Sequence, residues 1–184
     1  MEIDKDIIEP SIDPATKKIA VRHVKATNAS GTRTKIQVRD FAPVYTDEPD
    51  TLGGTNSAPS PLETALVALV GCDGVIIHGV ANAMTFDYAG VDLRCESQID
   101  VRGPKGVPGI RPYFGTLTLE IVVYTDETQE RLEKLAKNVE FRCPVMNLFV
   151  AADVTMDVSW TRRPAAEYLE SKGVAPKDFN TYGA

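Results

Sequence analysis

A long and almost wholly apolar run over residues 64–84 constrains the fold more than any other feature of the sequence. The residues just before it, Ser60-Pro61-Leu62-Glu63, form a signal for the start of a helix. The serine hydroxyl can accept a hydrogen bond from a free backbone N–H, the proline suits the first helical position, and the glutamate can return a bond to the cap. We therefore predict one helix from Pro61 to about Met84.

The same helix raises the question of a membrane span, because its apolar run is long enough to cross a bilayer. Asp73, His78 and Asn82 interrupt the run, and its flanks show no positive-inside pattern. We therefore expect a helix that is buried on all sides in a protein core, with no membrane as partner. The acidic N-terminus MEIDKDIIEP lacks the apolar segment of a signal peptide, so we expect a cytoplasmic protein.

Composition limits the class of protein and its partners. The chain has 184 residues, of which 43% are hydrophobic and 25% are charged, and this balance is typical of a globular chain of one domain. A net charge of -6 and the lack of long Lys/Arg clusters argue against a nucleic-acid partner. Three cysteines without a C-x-x-C or H-E-x-x-H motif do not predict a metal site, and their odd number argues against a secreted disulfide scaffold.

Alternating apolar residues and turn signals predict an α+β order of elements along the rest of the chain. The first two strands are expected to pair as a hairpin across a turn at residues 28–31, and a long polar loop over 45–59 leads into the helix. We predict strands over 18–24, 33–41, 91–101, 113–124 and 154–160, and further helices that begin near Asp126 and at Pro144. Residues 1–160 are expected to form a single domain with an irregular arm at 1–16, and 161–184 a polar, partly helical tail.

The three cysteines lie in different local settings. Cys95 alternates with aliphatic residues on a predicted strand, which favours a structural core thiol. Cys72 lies in the middle of the long helix, beyond the reach of the helix dipole, so it is reactive only if a positive group comes from elsewhere. Cys143 directly precedes Pro144 at a predicted helix start, where free N–H groups are expected to lower its pKa. Local physics alone therefore ranks Cys143 as the better thiolate.

Two further pairings of these cysteines are open. A cysteine–histidine hydrolase is disfavoured, because His78 follows Cys72 by six residues and so points to another side of the helix, and His23 could approach only through the tertiary fold. If the two helices cross, Cys72 and Cys143 could approach within disulfide distance and form a transient, redox-active bond.

The run TDEPDTLGGTNSAPSPLETALVALVGCDG, followed later by FRCPVMN, resembles the OsmC/Ohr family of thiol-dependent hydroperoxide reductases. More narrowly, the D-E-P, G-G and P-S-P-x-E elements resemble its OsmC-like branch, and the resemblance covers about residues 18–160. It implies an α+β fold in which a long central buried helix and a second helix pack on curved antiparallel sheets. It also implies an intertwined homodimer with sites at the subunit interface.

The resemblance further implies roles for individual residues. Cys72 matches the peroxidatic cysteine and Cys143 the resolving cysteine, which reverses their local ranking. Glu48 matches a glutamate that orients an arginine beside the thiolate. Arg39 is the first choice for that arginine and Arg33 the second.

The function that the resemblance implies is reduction of organic hydroperoxides to alcohols. A Cys72 sulfenic acid would form, a Cys72–Cys143 disulfide would follow, and an external dithiol would restore both thiols without a metal or an organic cofactor. The main alternative is a non-catalytic protein on the same fold that binds a small ligand or senses redox state. A hydrolase that uses Cys143 is a weaker third possibility.

Overall fold

The computed structural model describes residues 18–173. The described residues divide into two compact units, residues 18–67 and residues 68–173. The predicted arm at 1–16 and the end of the predicted tail lie outside the described residues. The predicted limits of a single domain therefore stay a prediction.

The first unit contains a small antiparallel sheet of three short strands. They are β1 (Lys25–Thr27), β2 (Thr34–Gln37) and β3 (Val44–Thr46), in the order β1-β2-β3. The predicted turn between the first two is confirmed, because Asn28 Nδ2 donates to the Gly31 carbonyl oxygen at 3.1 Å. Gly31 has a φ of 74°, a backbone conformation that glycine adopts without strain. A short 3-10 helix at Asp50–Leu52 follows β3.

Two predictions for this unit are wrong in their limits. The strand expected over 18–24 is irregular chain, and these residues are exposed with no core to order an alternating strand. The second strand ends at Gln37 rather than Phe41, because Arg39 has a φ of 48° and cannot continue an extended strand. Gln37 and Arg39 therefore do not share a strand face.

The helix α1 spans Pro61–Met84, as the sequence predicts. The capping signal is confirmed in both directions: the backbone N–H of Ser60 donates to Glu63 Oε2 at 2.7 Å, and that of Glu63 donates to Ser60 Oγ at 3.2 Å. The helix α1 is long and apolar enough to cross a membrane. The core helices of soluble proteins meet the same criteria of length and composition.

The expectation that α1 is buried on all sides is wrong for the single chain that the structure describes. The buried residues Leu69, Asp73, Ile77, Val80 and Ala81 lie on one face. On the other face Val67 and Val75 are 60% and 70% exposed. Periodicity could not reveal this difference, because both faces of the helix are apolar in sequence.

The second unit is built on a sheet of three long strands. These are β4 (Gly90–Ile99), β5 (Phe114–Tyr124) and β6 (Thr155–Arg163), in the order β4-β5-β6. The β4–β5 pair is antiparallel, as expected, whereas β6 runs parallel to β5. Two helices, α2 (Gln129–Arg142) and α3 (Pro144–Ala151), occupy the connection between β5 and β6. A connection of this length returns the chain to the end of the sheet at which β5 starts, which permits parallel pairing.

The core of the second unit lies on the inner face of β5 and on one stripe of α2. The predicted alternation of β5 is confirmed by full burial of Leu117, Leu119, Ile121 and Val123. The stripe of α2 consists of the fully buried Leu132, Leu135 and Val139. The helix α2 begins at Gln129 rather than near Asp126. Thr128 caps it, since its hydroxyl accepts a hydrogen bond from the Arg131 backbone N–H at 3.3 Å.

A fourth helix, α4 (Ala165–Lys172), lies in the segment predicted to be a partly helical tail. Its Leu169 is buried, and the Tyr168 ring packs against Tyr124 with 5.2 Å between ring centroids. A side chain at Gly90 would come within 2.3 Å of the Tyr168 ring. The absence of a side chain at Gly90 therefore allows α4 to pack against the first residues of β4.

Candidate thiol site

The loop before α1 is organised around the carboxylate of Asp47. One oxygen accepts a hydrogen bond from Thr32 Oγ1 at 2.6 Å. The other accepts from the hydroxyls of Thr55 and Ser57 at 2.6 and 3.0 Å and from their backbone N–H groups at 3.1 and 3.2 Å. These bonds, that of Thr32 first, hold the pKa of Asp47 well below its usual range. The geometry makes Asp47 the anchor of the loop, a role that the sequence did not predict.

The two glycines of the loop have steric reasons. Gly53 has a φ of 82°, which favours glycine. A Cβ at Gly54 would lie only 1.7 Å from the carbonyl oxygen of Glu48. The same oxygen accepts a hydrogen bond from the Asn56 backbone N–H at 3.0 Å. The backbone of the predicted site residue Glu48 is therefore held by a close approach that only glycine permits.

The two candidate arginines each stack on a neighbouring aromatic ring. The Arg33 guanidinium lies 4.3 Å from the ring centroid of Tyr45, and that of Arg39 lies 4.4 Å from the ring centroid of Phe41. Within residues 18–173 no ion pair joins Glu48 to either arginine. The structure therefore does not bring the predicted glutamate and arginine together, and the choice between the arginines stays a prediction.

Cys72 lies on α1 at the border between its two faces. Its neighbours along the helix are the buried Asp73 on one side and the exposed Gly71 on the other, and Val75, one turn further on, is exposed. The thiol itself is half-buried. Cys72 is thus partly exposed at the edge of the exposed apolar face of α1.

Cys143 lies at the junction of α2 and α3 and belongs to both. Its backbone N–H donates to the Val139 carbonyl oxygen at 2.9 Å and ends α2. Its sulfur accepts a hydrogen bond from the Met146 backbone N–H at 3.4 Å and caps α3. The predicted position of Cys143 at a helix start is therefore confirmed, and its side chain is completely buried.

The expectation that this helix start lowers the pKa of Cys143 is wrong. Burial is the largest influence and raises the pKa of the thiol, and the Asp73 carboxylate raises it further. The hydrogen bond from Met146 acts in the opposite direction and is outweighed. Cys72 also lies within interaction range, because its thiol adds to the raised pKa. The structure thus groups the two predicted thiols and leaves Cys143 protonated.

Asp73 is the site residue that the sequence did not predict. Its side chain is completely buried, and neither carboxyl oxygen has a hydrogen-bond partner of good geometry. Burial raises the pKa of Asp73 to about 6, which its interaction with Cys143 partly opposes and the charge of Glu140 reinforces. The available signal was the lone carboxylate inside an apolar run, next to a cysteine.

Two more side chains from the second unit, Cys95 and Glu140, interact with the Asp73 carboxyl group. Cys95 on β4 is half-buried, and both burial and the charge of Asp73 raise its pKa. Glu140 on α2 accepts a hydrogen bond from Trp160 Nε1 at 2.8 Å, and burial raises its pKa. No cluster of His, Cys, Asp and Glu suited to a metal ion is found within residues 18–173.

The histidines make other contacts. His78 is exposed, and its ring nitrogens pair with Asn82 at 3.0 Å and Tyr88 at 3.3 Å. His23 lines a cleft of about 780 Å³ together with Arg39, and that lining includes none of the three cysteines. These positions give no support to a cysteine–histidine hydrolase.

The family model for OsmC-like proteins matches residues 54–159, which is more than half of the chain. The chain belongs to the OsmC-like protein family. The matched span contains both Cys72 and Cys143, whereas Glu48 and the two candidate arginines precede it. No curated protein matches the sequence at a significant level.

Solved structures confirm the OsmC-like fold. An OsmC-like protein from Mycoplasma pneumoniae superposes with a TM-score of 0.67 at 15% identity, over 78% of this chain and 97% of the other. An organic hydroperoxide resistance protein from Legionella pneumophila gives 0.62 at 20% identity, over 79% and 99%. One from Elizabethkingia anophelis, with thiocyanate bound, gives 0.59 at 15% identity, over 81% and 99%.

Proposed function

We propose that this protein is a thiol-dependent peroxidase that reduces organic hydroperoxides to alcohols. The observation that carries the proposal is the grouping of a half-exposed Cys72 with a buried Cys143, on helices that come from distant parts of the sequence. Membership of the OsmC-like family and the two hydroperoxide resistance proteins of the same fold support a redox role in stress.

The first proposed step takes place at Cys72. Its thiolate attacks one peroxide oxygen, the O–O bond breaks, and the alkoxide leaves and takes up a proton to become the alcohol. Cys72 is thereby oxidised to a sulfenic acid, and the hydroperoxide is reduced by two electrons. The half-exposed position of Cys72 on an apolar helix face is suited to a substrate with an apolar group.

The second proposed step forms a disulfide. The Cys143 sulfur attacks the sulfenic sulfur of Cys72, the S–O bond breaks, and water leaves. An external dithiol then returns both cysteines to thiols by exchange and is itself oxidised to a disulfide. The burial of Cys143 fits this order, because a protonated thiol does not compete with Cys72 for the hydroperoxide.

The thiolate of Cys72 requires a positive group, which we assign to an arginine. Arg39 is the first candidate and Arg33 the second, with Glu48 as the residue that orients the guanidinium. A guanidinium supplies charge and fixed donors to a thiolate. Replacement by Met of the arginine that contacts Cys72 should slow the oxidation of Cys72 at neutral pH. Replacement of the other candidate arginine should leave the rate of that oxidation unchanged. Equal rates in both variants and the natural protein would reject this assignment.

We further propose that the protein acts as a homodimer. The exposed face of α1, with Val67 and Val75, and the exposed Leu148 on α3 offer apolar surface of the kind that subunit interfaces cover. Sedimentation equilibrium should give twice the mass of 20.0 kDa for the natural protein. Val75→Glu should lower that mass toward the monomer, whereas Val107→Glu, at an exposed loop, should not. A monomeric natural protein would contradict the proposal.

The peroxidase proposal is tested by cysteine variants in a hydroperoxide-consumption assay with cumene hydroperoxide and a dithiol. Cys72→Ser should abolish turnover, by about 1,000-fold or more, because the nucleophile is gone. Cys143→Ser should reduce one equivalent of hydroperoxide and then stall, because the disulfide that the dithiol reduces cannot form.

Cys95→Ser is the matched control, since it removes the one remaining cysteine, which is half-buried and which the proposed cycle does not use. It should retain turnover within about twofold. Unchanged turnover in Cys72→Ser would reject the peroxidase assignment. A natural protein that consumes no hydroperoxide would leave redox sensing or ligand binding as the remaining function.

A further inference from the structure

The Asp73 carboxylate is an unusual group even among buried charges. A buried carboxylate is normally paired with a cation or satisfied by several hydrogen bonds, because desolvation otherwise makes its charge costly. Asp73 is completely buried and both of its oxygens lack a hydrogen bond of good geometry. The surrounding fold tolerates this cost although an uncharged residue of the same size would avoid it.

The groups that face Asp73 come from four elements of the second unit. Cys143 at the α2–α3 junction interacts with its carboxyl group, and Glu140 on α2 adds a second negative charge. Cys95 on β4 responds to the charge of Asp73, and Cys72 is its neighbour on α1. Within residues 68–173 the groups that influence Asp73 include no lysine or arginine. Among the described residues, the groups that interact with Asp73 are therefore thiols and one further carboxyl group.

We propose that Asp73 is the proton acceptor for the Cys143 thiol when the disulfide with Cys72 forms. The inference rests on the proposed function and adds to it the residue that activates the second thiol. The geometry that carries it is a completely buried carboxyl group without a hydrogen-bond partner of good geometry, within interaction range of a completely buried thiol.

Protons and electrons balance in this step without a further reactant. The Asp73 carboxylate takes the proton of the Cys143 thiol while the Cys143 sulfur bonds to the sulfenic sulfur of Cys72. The S–O bond of Cys72 breaks, and the leaving hydroxide takes the proton from Asp73 and departs as water. Cys143 is oxidised, the sulfenic sulfur of Cys72 is reduced, and Asp73 returns to the carboxylate form.

The local hydrogen bonding favours this assignment over a purely structural one. The Met146 backbone N–H donates to the Cys143 sulfur, so it occupies a lone pair and leaves the S–H free to donate. Asp73 has acceptor positions that no other donor fills. Its pKa of about 6 leaves it mostly ionised at neutral pH, yet basic enough to accept a proton transiently.

The test compares Asp73→Asn with Glu140→Gln in single-turnover experiments on the natural full-length protein. Both variants remove one negative charge, from the completely buried Asp73 or the half-buried Glu140, but only the first removes the acceptor. After one equivalent of cumene hydroperoxide, the rate of alcohol release reports the first step, and the rate of disulfide formation reports the second. We expect Asp73→Asn to release alcohol normally and to form the disulfide about 100-fold more slowly. Glu140→Gln should form it within about threefold of the natural rate.

The pH dependence separates a chemical role from a structural one. In the natural protein the rate of disulfide formation should rise as the pH increases through about 6, because Asp73 must be ionised to accept the proton. In Asp73→Asn that inflection should be absent. An inflection of the same position and size in both proteins would overturn the proposal, as would disulfide formation in Asp73→Asn at or above the natural rate.

Two further measurements keep this inference distinct from the peroxidase proposal. Diamide oxidises dithiols without a hydroperoxide, so it can drive the Cys72–Cys143 disulfide even if no alcohol is formed in the first experiment. If the hydroperoxide released no alcohol but diamide gave an Asp73-dependent rate of disulfide formation, the peroxidase would be rejected and the role of Asp73 kept. In the reduced natural protein, the S–H infrared band that disappears in Cys143→Ser should shift as the pH passes about 6. A pH-independent band would overturn the role of Asp73 without the use of any Asp73 variant.

Discussion

Asp47 and Asp73 are the same chemical group in opposite settings. Both side chains are 0% exposed. Asp47, in the loop before α1, accepts five hydrogen bonds from hydroxyl and backbone N–H groups. Asp73, inside α1, has no hydrogen bond of good geometry. The pKa of Asp47 is accordingly lowered and that of Asp73 raised.

The ionised carboxylate of Asp47 therefore stabilises the fold, whereas that of Asp73 destabilises it. Donors around Asp47 stabilise its charge, so the charge in turn orders the loop. Burial of Asp73 outweighs the one interaction, with Cys143, that favours its charge, so its ionisation opposes folding. Unsatisfied polar groups that persist in folded proteins are often found at functional sites, and Asp73 lies beside the two thiols of the proposed site.

The largest effect is expected from Asp73→Asn, which should stabilise the protein at pH 7 by up to about 3 kcal/mol. The pKa of Asp73 is raised from an ordinary 3.8 to about 6, and the difference corresponds to that free energy of unfolding. The sign follows from proton binding. The folded state binds the proton more tightly than the unfolded state, so the contribution of Asp73 to stability is lost as the pH rises from about 4 through 6. Urea unfolding at pH 7 should show the gain, and at pH 3.5 it should be small.

The control for this prediction is Asp157→Asn, at an exposed position on β6. It should change the free energy of unfolding little at either pH. Equal destabilisation by Asp73→Asn at both pH values would mean that the carboxyl group is satisfied after all, and the contrast with Asp47 would be lost.

Asp47→Asn should have the next largest effect, in the opposite direction. Four donor groups converge on one oxygen of Asp47, and an amide NH₂ at either position would face a donor. We expect a fall in Tm of about 5 °C or more and faster hydrogen exchange over residues 47–57. Because the pKa of Asp47 is lowered, the difference between the proteins should shrink as the pH falls below about 4.

The exposed Asp50 in the same loop provides the matched control for Asp47. Asp50→Asn should leave Tm and the exchange rates of the loop near their natural values. If Asp47→Asn and Asp50→Asn had the same Tm, the hydrogen bonds of Asp47 would not be what orders the loop.

Glu63→Gln is expected to have the smallest effect of the series. Glu63 accepts a hydrogen bond from the Ser60 backbone N–H, which lowers its pKa, but it is exposed to solvent that screens its charge. Thermal melts should show a fall in Tm of about 2 °C. Glu130→Gln, in the first turn of α2, shares the dipole effect without this capping bond and should change Tm less. A larger loss in Glu63→Gln than in Asp47→Asn would break the ranking by burial.

The sequence predicted best those features that depend on neighbours along the chain. The start of α1 follows from Ser60 and Glu63, which bond each other within one turn. The strands β4 and β5 follow from alternation that the buried face of β5 satisfies. The place of Cys143 at a helix start follows from Pro144. In each case the deciding contact spans only a few residues.

Features that depend on the tertiary fold were beyond the sequence. The pKa of Cys143 was expected to fall because its helix is visible in the sequence, but the burial that raises it comes from elements far along the chain. Asp73 was read as an interruption of an apolar run, since its proximity to Cys143 and Glu140 requires α1 to pack near α2 and α3. The exposure of Val75 likewise depends on what covers the helix, which its own pattern cannot reveal.

The hydrogen bond between the Met146 backbone N–H and the Cys143 sulfur gives the protein a built-in spectroscopic probe. The chemical shift of an amide proton responds strongly to the atom that accepts it. Alkylation, oxidation or replacement of that sulfur will therefore register at one assignable resonance in a nitrogen-15 correlation spectrum. The state of a concealed cysteine can thus be followed in an unmodified sample, without a dye or a label.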